Sequence, residues 1–165
     1  IVKEFLNNNH IQGYVKSIIK LGLIYNGELV SLMVFDNLEG RKKMDINNWN
    51  LSRFCNKINT NIVGGASKLF NYFIKKYNPE RIISYADMDW SDGNLYYKLG
   101  FTLSNILKPD YKYIINGKRE NKRKFSKSNL KKIGFNINLS ESEITKLNNI
   151  ERIYNCGKLK FIKLR

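Results

Sequence analysis

The sequence predicts an α/β (α+β) fold, a central mixed sheet flanked by helices, followed by a small basic extension of helices and a short hairpin. Three observations predict it. Short apolar runs bounded by turn residues recur over 21–35, 49–55, 81–86 and 111–115, each of strand length. Between two of them lies a stretch with Leu69, Phe70, Phe73, Ile74 and Tyr77 three and four apart, the spacing of one helix face. After residue 116 the pattern of a mixed core gives way to short polar elements and dense positive charge.

The elements follow in order. Residues 2–8 suit a short helix. Residues 21–25 and 28–35 flank Asn26-Gly27, the dipeptide that favours a type I′ turn, and so read as a β-hairpin. Residues 39–48 read as a polar loop and 49–55 as a strand. The helix over 64–77 is stopped by Asn78-Pro79. A strand follows over 81–86, then a short helix over 92–99 ended by Gly100, and a strand over 111–115. In the extension, 125–133 reads as a basic helix. Ser140 and Glu143 have the spacing of a capping box for a helix reaching about Asn149. Residues 152–154 and 158–164, either side of Asn155-Cys156-Gly157, read as a small hairpin. Asn116-Gly117, a turn dipeptide, marks the boundary between a domain over 1–116 and an extension over 117–165.

A chain of 165 residues with 42% apolar content can bury a real core, so wholesale disorder is not expected. No run of 18 apolar residues occurs, which argues against a membrane-spanning helix, and the expected location is cytoplasmic. The opening Ile1-Val2-Lys3-Glu4-Phe5 has no Met and no signal-peptide features, so it reads as a segment of a longer protein. Cys55 and Cys156 match no zinc or redox spacing and read as reduced thiols.

Charge is the loudest compositional signal. Lys and Arg number 29 against 14 acids, a formal net charge of +15. Abundant Lys, Asn and Ile fit AT-rich codon usage, which does not account for the scarcity of acids. Between residues 118 and 132 there are eight basic side chains and one acid. Lys118, Arg119, Lys122, Arg123 and Lys124 belong to this run, and Arg41, Lys42 and Lys43 form a second patch. Such a field suits DNA or another polyanion as partner, with a solubilising surface as the bland alternative. Phosphate contacts of this kind carry no sequence information, and no standard base-reading motif is present.

Residues 61–101 carry the chemistry. Asn61-Ile62-Val63-Gly64-Gly65-Ala66 leaves a strand and opens a helix, whose unpaired N–H groups and dipole offer a place for phosphate. Small residues there let a pyrophosphate approach the backbone. About twenty residues on comes Ile82-Ile83-Ser84-Tyr85-Ala86-Asp87, then Leu95-Tyr96-Tyr97-Lys98-Leu99-Gly100-Phe101. This order resembles the GNAT acyltransferases. Asn61-x-x-Gly64-x-Ala66 is similar to their (Q/R)-x-x-G-x-(G/A) pyrophosphate loop, with Asn61 where Gln or Arg is usual. Leu95 to Phe101 is similar to their L-Y-x-x-x-G-F ending. The resemblance implies a GNAT-like domain that binds acetyl-CoA or a related acyl-CoA along Asn61, Val63, Gly64, Gly65 and Ala66, with Tyr96 facing the thioester.

Leu51-Ser52-Arg53-Phe54, Ser84-Tyr85-Ala86-Asp87 and Asp92-Gly93-x-x-Tyr96 further resemble phage Mom-type DNA modification proteins. The basic run and the Arg152-Ile153-Tyr154-Asn155-Cys156-Gly157 tail resemble a GNAT-like domain of phage mobile endonucleases. The first resemblance implies acylation of a nucleobase amine. The second implies a DNA-binding domain that has lost turnover.

The candidate catalytic residues are Tyr96, Asp87, His10 and Arg53. A phenol near a thioester suits a general acid, and packing is its other use. Asp87, at a strand's carboxyl end, suits a proton acceptor or an amine contact, or a turn cap. His10, the single histidine, either takes part in chemistry or caps a helix end. Arg53 either holds a phosphate or carboxylate or is a solvated strand residue. Asp87, Asp89 and Asp92 fall close together, but their spacing matches no established metal loop, and no metal is expected.

Overall fold

A computed structural model describes residues 1–37, 47–132, 134 and 138–165. In chain order the elements are α1 (Val2–Asn9), β1 (Ile19–Tyr25), β2 (Glu28–Asn37), β3 (Asn48–Asn56), α2 (Gly65–Tyr77), β4 (Arg81–Asp87), α3 (Asn94–Lys98), β5 (Thr102–Leu107) and β6 (Tyr111–Ile115). Then come β7 (Lys118–Asn121), a 3₁₀ turn (Lys122–Phe125), α4 (Lys127–Lys132), α5 (Glu141–Leu147), β8 (Glu151–Tyr154) and β9 (Lys158–Leu164). The chain forms two compact units. The first holds Ile1–Ala86, Ser91–Ile106 and Leu159–Arg165, and the second Asp87–Trp90 and Leu107–Lys158. No described helix is long and apolar enough to cross a membrane.

In the first unit a six-stranded sheet runs β1-β2-β3-β4-β9-β5. The β1–β2 hairpin turns on Asn26 (φ 48) and Gly27 (φ 78), both left-handed, as a type I′ turn demands. Alternation along β2 and β3 sends Met33, Phe35, Trp49 and Leu51 to one face, where they meet Leu69, Phe70 and Phe73 of α2. The rings of Phe35 and Phe73 stack with centroids 3.6 Å apart. The intervening Leu32 and Val34 point the other way, onto Phe5 and Leu6 of α1. Periodicity of 2 in the strands and 3.6 in α2 therefore meet at one buried surface, which is why both were readable. The helix α2 ends at Asn78 (φ 42), whose N–H reaches the Ile74 carbonyl at 2.9 Å, ahead of Pro79.

The second unit contains the sheet β7-β6-β8 and a small core of Tyr113, Phe125, Leu130 and Ile144. The capping box is present: Ser140 N–H donates to Glu143 Oε2 (2.7 Å), and Glu143 N–H donates to Ser140 Oγ (3.2 Å).

Two expectations are corrected. Asn116 (φ 49) and Gly117 (φ 72) do not separate domains but form the tip of the β6–β7 hairpin. The same turn chemistry serves either purpose, and only the pairing of 118–121 with β6 distinguishes them. Residues 152–164 do not form a hairpin, because β8 pairs with β6 while β9 lies between β4 and β5. Gly157 (φ 98) lies against the Leu107 carbonyl, closer than any Cβ could. The basic helix expected over 125–133 is present as α4, Lys127–Lys132, and a 3₁₀ turn over Lys122–Phe125 precedes it. Residue 133 lies outside the described residues.

Candidate active site

The site begins with a strand pair that stops pairing. The parallel strands β3 and β4 share only Asn48↔Arg81, Trp49↔Ile82 and Asn50↔Ile83. Beyond that the ladder ends, so their carboxyl ends are unpaired with each other, the place where α/β sheets receive ligands. Ser84 sits at this fork and is 1% exposed. Its hydroxyl donates to the Leu51 carbonyl of β3 (2.7 Å) and lies 2.9 Å from Tyr96 Oη. A serine has one proton, and the carbonyl only accepts. That proton therefore goes to the Leu51 carbonyl or to Tyr96 Oη, one at a time, and the phenol oxygen is the acceptor when it turns to Tyr96.

Tyr96 is thereby held at the fork, its one hydroxyl proton donated to the Tyr85 carbonyl (3.3 Å). Its ring stacks on Phe161 (4.8 Å) and meets Phe101 edge-on (5.6 Å). Burial raises its pKa above the ordinary phenol value, partly offset by Ser84 and by the charge of Arg53. The hydroxyl therefore stays protonated at neutral pH and is a donor. The short helix carrying Tyr96 starts at Gly93 (φ 83), where a Cβ would lie 2.7 Å from Phe161 Cε2. Only glycine fits there.

The helix α2 opens from the same end of β3, after the connection through residues 57–64. Gly64 (φ 70) is its N-cap and provides no side-chain cap. The amide of Gly65 bonds to the Ile62 carbonyl (3.1 Å), and that of Lys68 to Gly64 (2.9 Å). This leaves the Ala66 and Ser67 amides at the positive end of the helix dipole. The two glycines have different tasks. A Cβ at Gly64 would meet nothing within 4 Å, so space in front of the turn is open. A Cβ at Gly65 would strike Ile62 Cγ2 at 2.8 Å, so this glycine is needed for packing behind the turn. Val63 is 90% exposed beside them, and Asn61 is exposed as well.

Arg53 and His10 converge from the α1 side. The β2–β3 register pairs Val34 with Arg53 and Phe35 with Leu51, so Ser52 is bulged and Arg53 joins the Val34 face. Its Nε–H donates to the Gly13 carbonyl (3.3 Å) and its Nη1 to the Ser52 carbonyl (2.7 Å). Burial lowers its pKa. His10 closes α1, and its Nδ1 accepts from the Gln12 N–H (3.1 Å). Burial, with the charge of Arg53 added, brings its pKa down to about 4.

Asp87 falls in the second unit, where its Oδ1 accepts from the Asp89 N–H (3.3 Å). Asp89 in turn accepts from the Cys156 N–H (2.6 Å), and Asp92 caps the Asn94 N–H (2.9 Å). Asp87 and Asp92 thus each hold a local turn, while Asp89 ties its turn to the distant Cys156 segment. Lys118, Arg119, Lys122, Arg123 and Lys124 are in the second unit. There Lys122 pairs with Asp110 and Lys124 with Glu120, both at 2.5 Å. Arg41, Lys42 and Lys43 lie outside the described residues. Burial raises the Cys55 thiol to about 11, which leaves it unreactive.

Sequence reasoning missed Ser84 as a site residue. Its signal was a polar side chain on the inward alternation Ile82, Ser84, Ala86 of an apolar strand. It also missed Gly13 and the Ser67 amide, which contribute backbone atoms and leave no residue-type signal.

No family model matches the chain, and no curated protein matches it. Solved structures do match. The ribosomal-protein-S18-alanine N-acetyltransferase from Escherichia coli aligns with TM-score 0.58 at 10% identity, over 98% of this chain and 84% of that one. An acetyltransferase from Bacillus subtilis, solved in complex with CoA, aligns with TM-score 0.52 at 13% identity, over 99% and 82%. A GNAT-family acetyltransferase from Streptococcus pneumoniae gives TM-score 0.50 at 12% identity, over 98% and 70%. The fold is the GNAT fold. At such identities the likeness lies in the backbone path, in agreement with the architecture expected from the Asn61 to Phe101 motifs. It carries no information on acceptor or partner.

Proposed function

We propose that this GNAT-fold chain is an acyl-CoA-dependent acyltransferase whose acceptor is an amine on DNA. The observation that carries the first half is the fork between β3 and β4, with a protonated Tyr96 hydroxyl at its mouth and the uncapped start of α2 beside β3. The open space before Gly64 and the Ala66 and Ser67 amides suit a pyrophosphate, and acyl-CoA supplies an activated thioester. In the transfer an amine nitrogen bonds to the acyl carbon, the carbon–sulfur bond breaks, and the sulfur takes up a proton. Tyr96 is the donor proposed for that sulfur; solvent takes the proton that the amine loses and returns one to the Tyr96 phenolate. Asp87 has no step in this scheme.

The DNA half rests on charge. Within the basic run, Lys118, Arg119, Arg123, Lys127, Lys131 and Lys132 make no ion pair among the described residues, which leaves them for phosphates. The resemblance of the Ser84 to Asp87 and Asp92-Gly93 segments to DNA modification proteins points the same way.

Calorimetry with acetyl-CoA, and separately with duplex DNA, tests both halves. Gly64→Asp is the informative variant, because aspartate tolerates left-handed backbone and caps a helix, yet sets a carboxylate where the pyrophosphate is proposed. Acetyl-CoA binding in the wild type, lost in a folded Gly64→Asp protein, is the expected result. No acetyl-CoA binding beside salt-sensitive DNA binding would leave a DNA-binding module without turnover.

A further inference from the structure

We propose that Arg53 and His10 form a binding site for an oxyanion, a phosphate or carboxylate, which the acceptor carries beside its amine. Calling the ligand an acceptor rests on the acyltransferase reading. The anion site itself stands on its own geometry.

Arg53 is a partly buried guanidinium held in place by neutral groups. Two backbone carbonyls, Gly13 and Ser52, take its Nε–H and one Nη1 hydrogen. They fix the plane of the fork and, being neutral, add no counter-charge. No carboxylate lies within ion-pair distance of it among the described residues. Arginine has five N–H donors, so two contacts leave most of the fork, including all of Nη2, for a ligand. A desolvated charge without a counter-charge is costly to maintain unless something intermittently supplies one.

His10 adds a donor of matching kind. Because Nδ1 accepts from Gln12, the neutral ring carries its proton on Nε2. At a helix C-terminus the dipole would favour the protonated imidazolium by about 0.3–1 kcal/mol. Burial and Arg53 override it, so at neutral pH the ring is an N–H donor and a poor base. A planar fork and a fixed imidazole N–H are the donor set for an oxyanion, and the fork favours bidentate contact. A structural reading, in which Arg53 only straps the Gly13 turn to β3, explains the two carbonyl contacts. It does not explain why the strap is a charged group.

The test follows the Arg53 Nε–H and His10 ring resonances by NMR at neutral pH, without any CoA, during titration with inorganic phosphate and separately with acetate. Both signals are expected to move with phosphate, acetate or both, and the stronger response identifies the acceptor's anion. Bound sulfate, which stays ionised in acid, is expected to raise the His10 midpoint from about 4 toward its ordinary 6.5. Arg53→Met should raise that midpoint without ligand and weaken the anion response about tenfold or more. Arg53→Lys should retain part of it. Wild-type signals indifferent to both anions would overturn the proposal, as would an Arg53→Met protein whose His10 responds like the wild type. Acetyl-CoA binding, measured separately, tells failure of this site from failure of the acyltransferase reading.

Discussion

At the scale of single residues, the site turns on how few protons are available at the fork. Tyr96 keeps its proton because burial disfavours the phenolate. Tyr96→Phe keeps the ring on Phe161 and Phe101, so the fold should hold while the donor is lost. The expected outcome is a fall in kcat of about 100-fold or more with KM for acyl-CoA nearly unchanged, read by steady-state kinetics. A parallel rise in KM would instead place the hydroxyl in ground-state binding. His10 gives a pH prediction. Its folded pKa, about 4, lies below the ordinary 6.5, so the folded state favours the neutral ring. Its contribution is complete above pH 6.5 and is lost as pH falls toward 4, where the unfolded chain binds the proton first. Denaturant melts at pH 7.5 and 4.5 should show a smaller acid loss for His10→Gln than for the wild type. Equal losses would remove His10 as the cause. Tyr96 and Arg53 were legible because their residue types announce chemistry. Ser84 was not, since a lone serine in an apolar strand is commonplace until its partners, Leu51 and Tyr96, are known.

At the scale of elements, legibility followed burial. The hairpin, β3, α2 and β4 each present one apolar face to the same core, and their periodicities were plain in the sequence. The strand β5 was not foreseen: Thr102, Leu103, Ser104, Asn105 and Ile106 are all exposed on a sheet edge, so no alternation was imposed on them. β7 was missed for a similar reason, as Lys118, Arg119 and Asn121 face solvent and read as charge. The turn glycines were legible as turns, while their separate duties were not. Gly93 is the sharpest case, combining φ 83 with the Phe161 ring where a Cβ would go. Gly93→Ala should cost about 2–4 kcal/mol, from backbone strain and overpacking together. A thermal or urea melt unchanged by that substitution would mean the α3 entry relaxes freely.

At the scale of the whole molecule, a net charge of +15 predicts association governed by ionic strength. Affinity for duplex DNA should fall by at least about tenfold between roughly 50 and 200 mM salt. Lys127→Glu with Lys131→Glu, both on the exposed side of α4, should weaken binding and flatten that dependence, as read by fluorescence anisotropy. Binding indifferent to salt would place the partner outside the polyanions. Net charge was readable from composition alone, whereas the division into units was not. It depends on which sheet each late strand joins, and neither β8 nor β9 carries that address in its own residues.

The placement of β9 has a consequence for the order of events during synthesis. The strand that joins β4 to β5 is translated after the entire second unit, so a ribosome must release residues 87–158 before the first sheet can close. Until then β5 has no neighbour, and Tyr96 and Gly93 lack the Phe161 ring they pack against. Until β9 has been translated, the fork therefore lacks the ring that backs Tyr96.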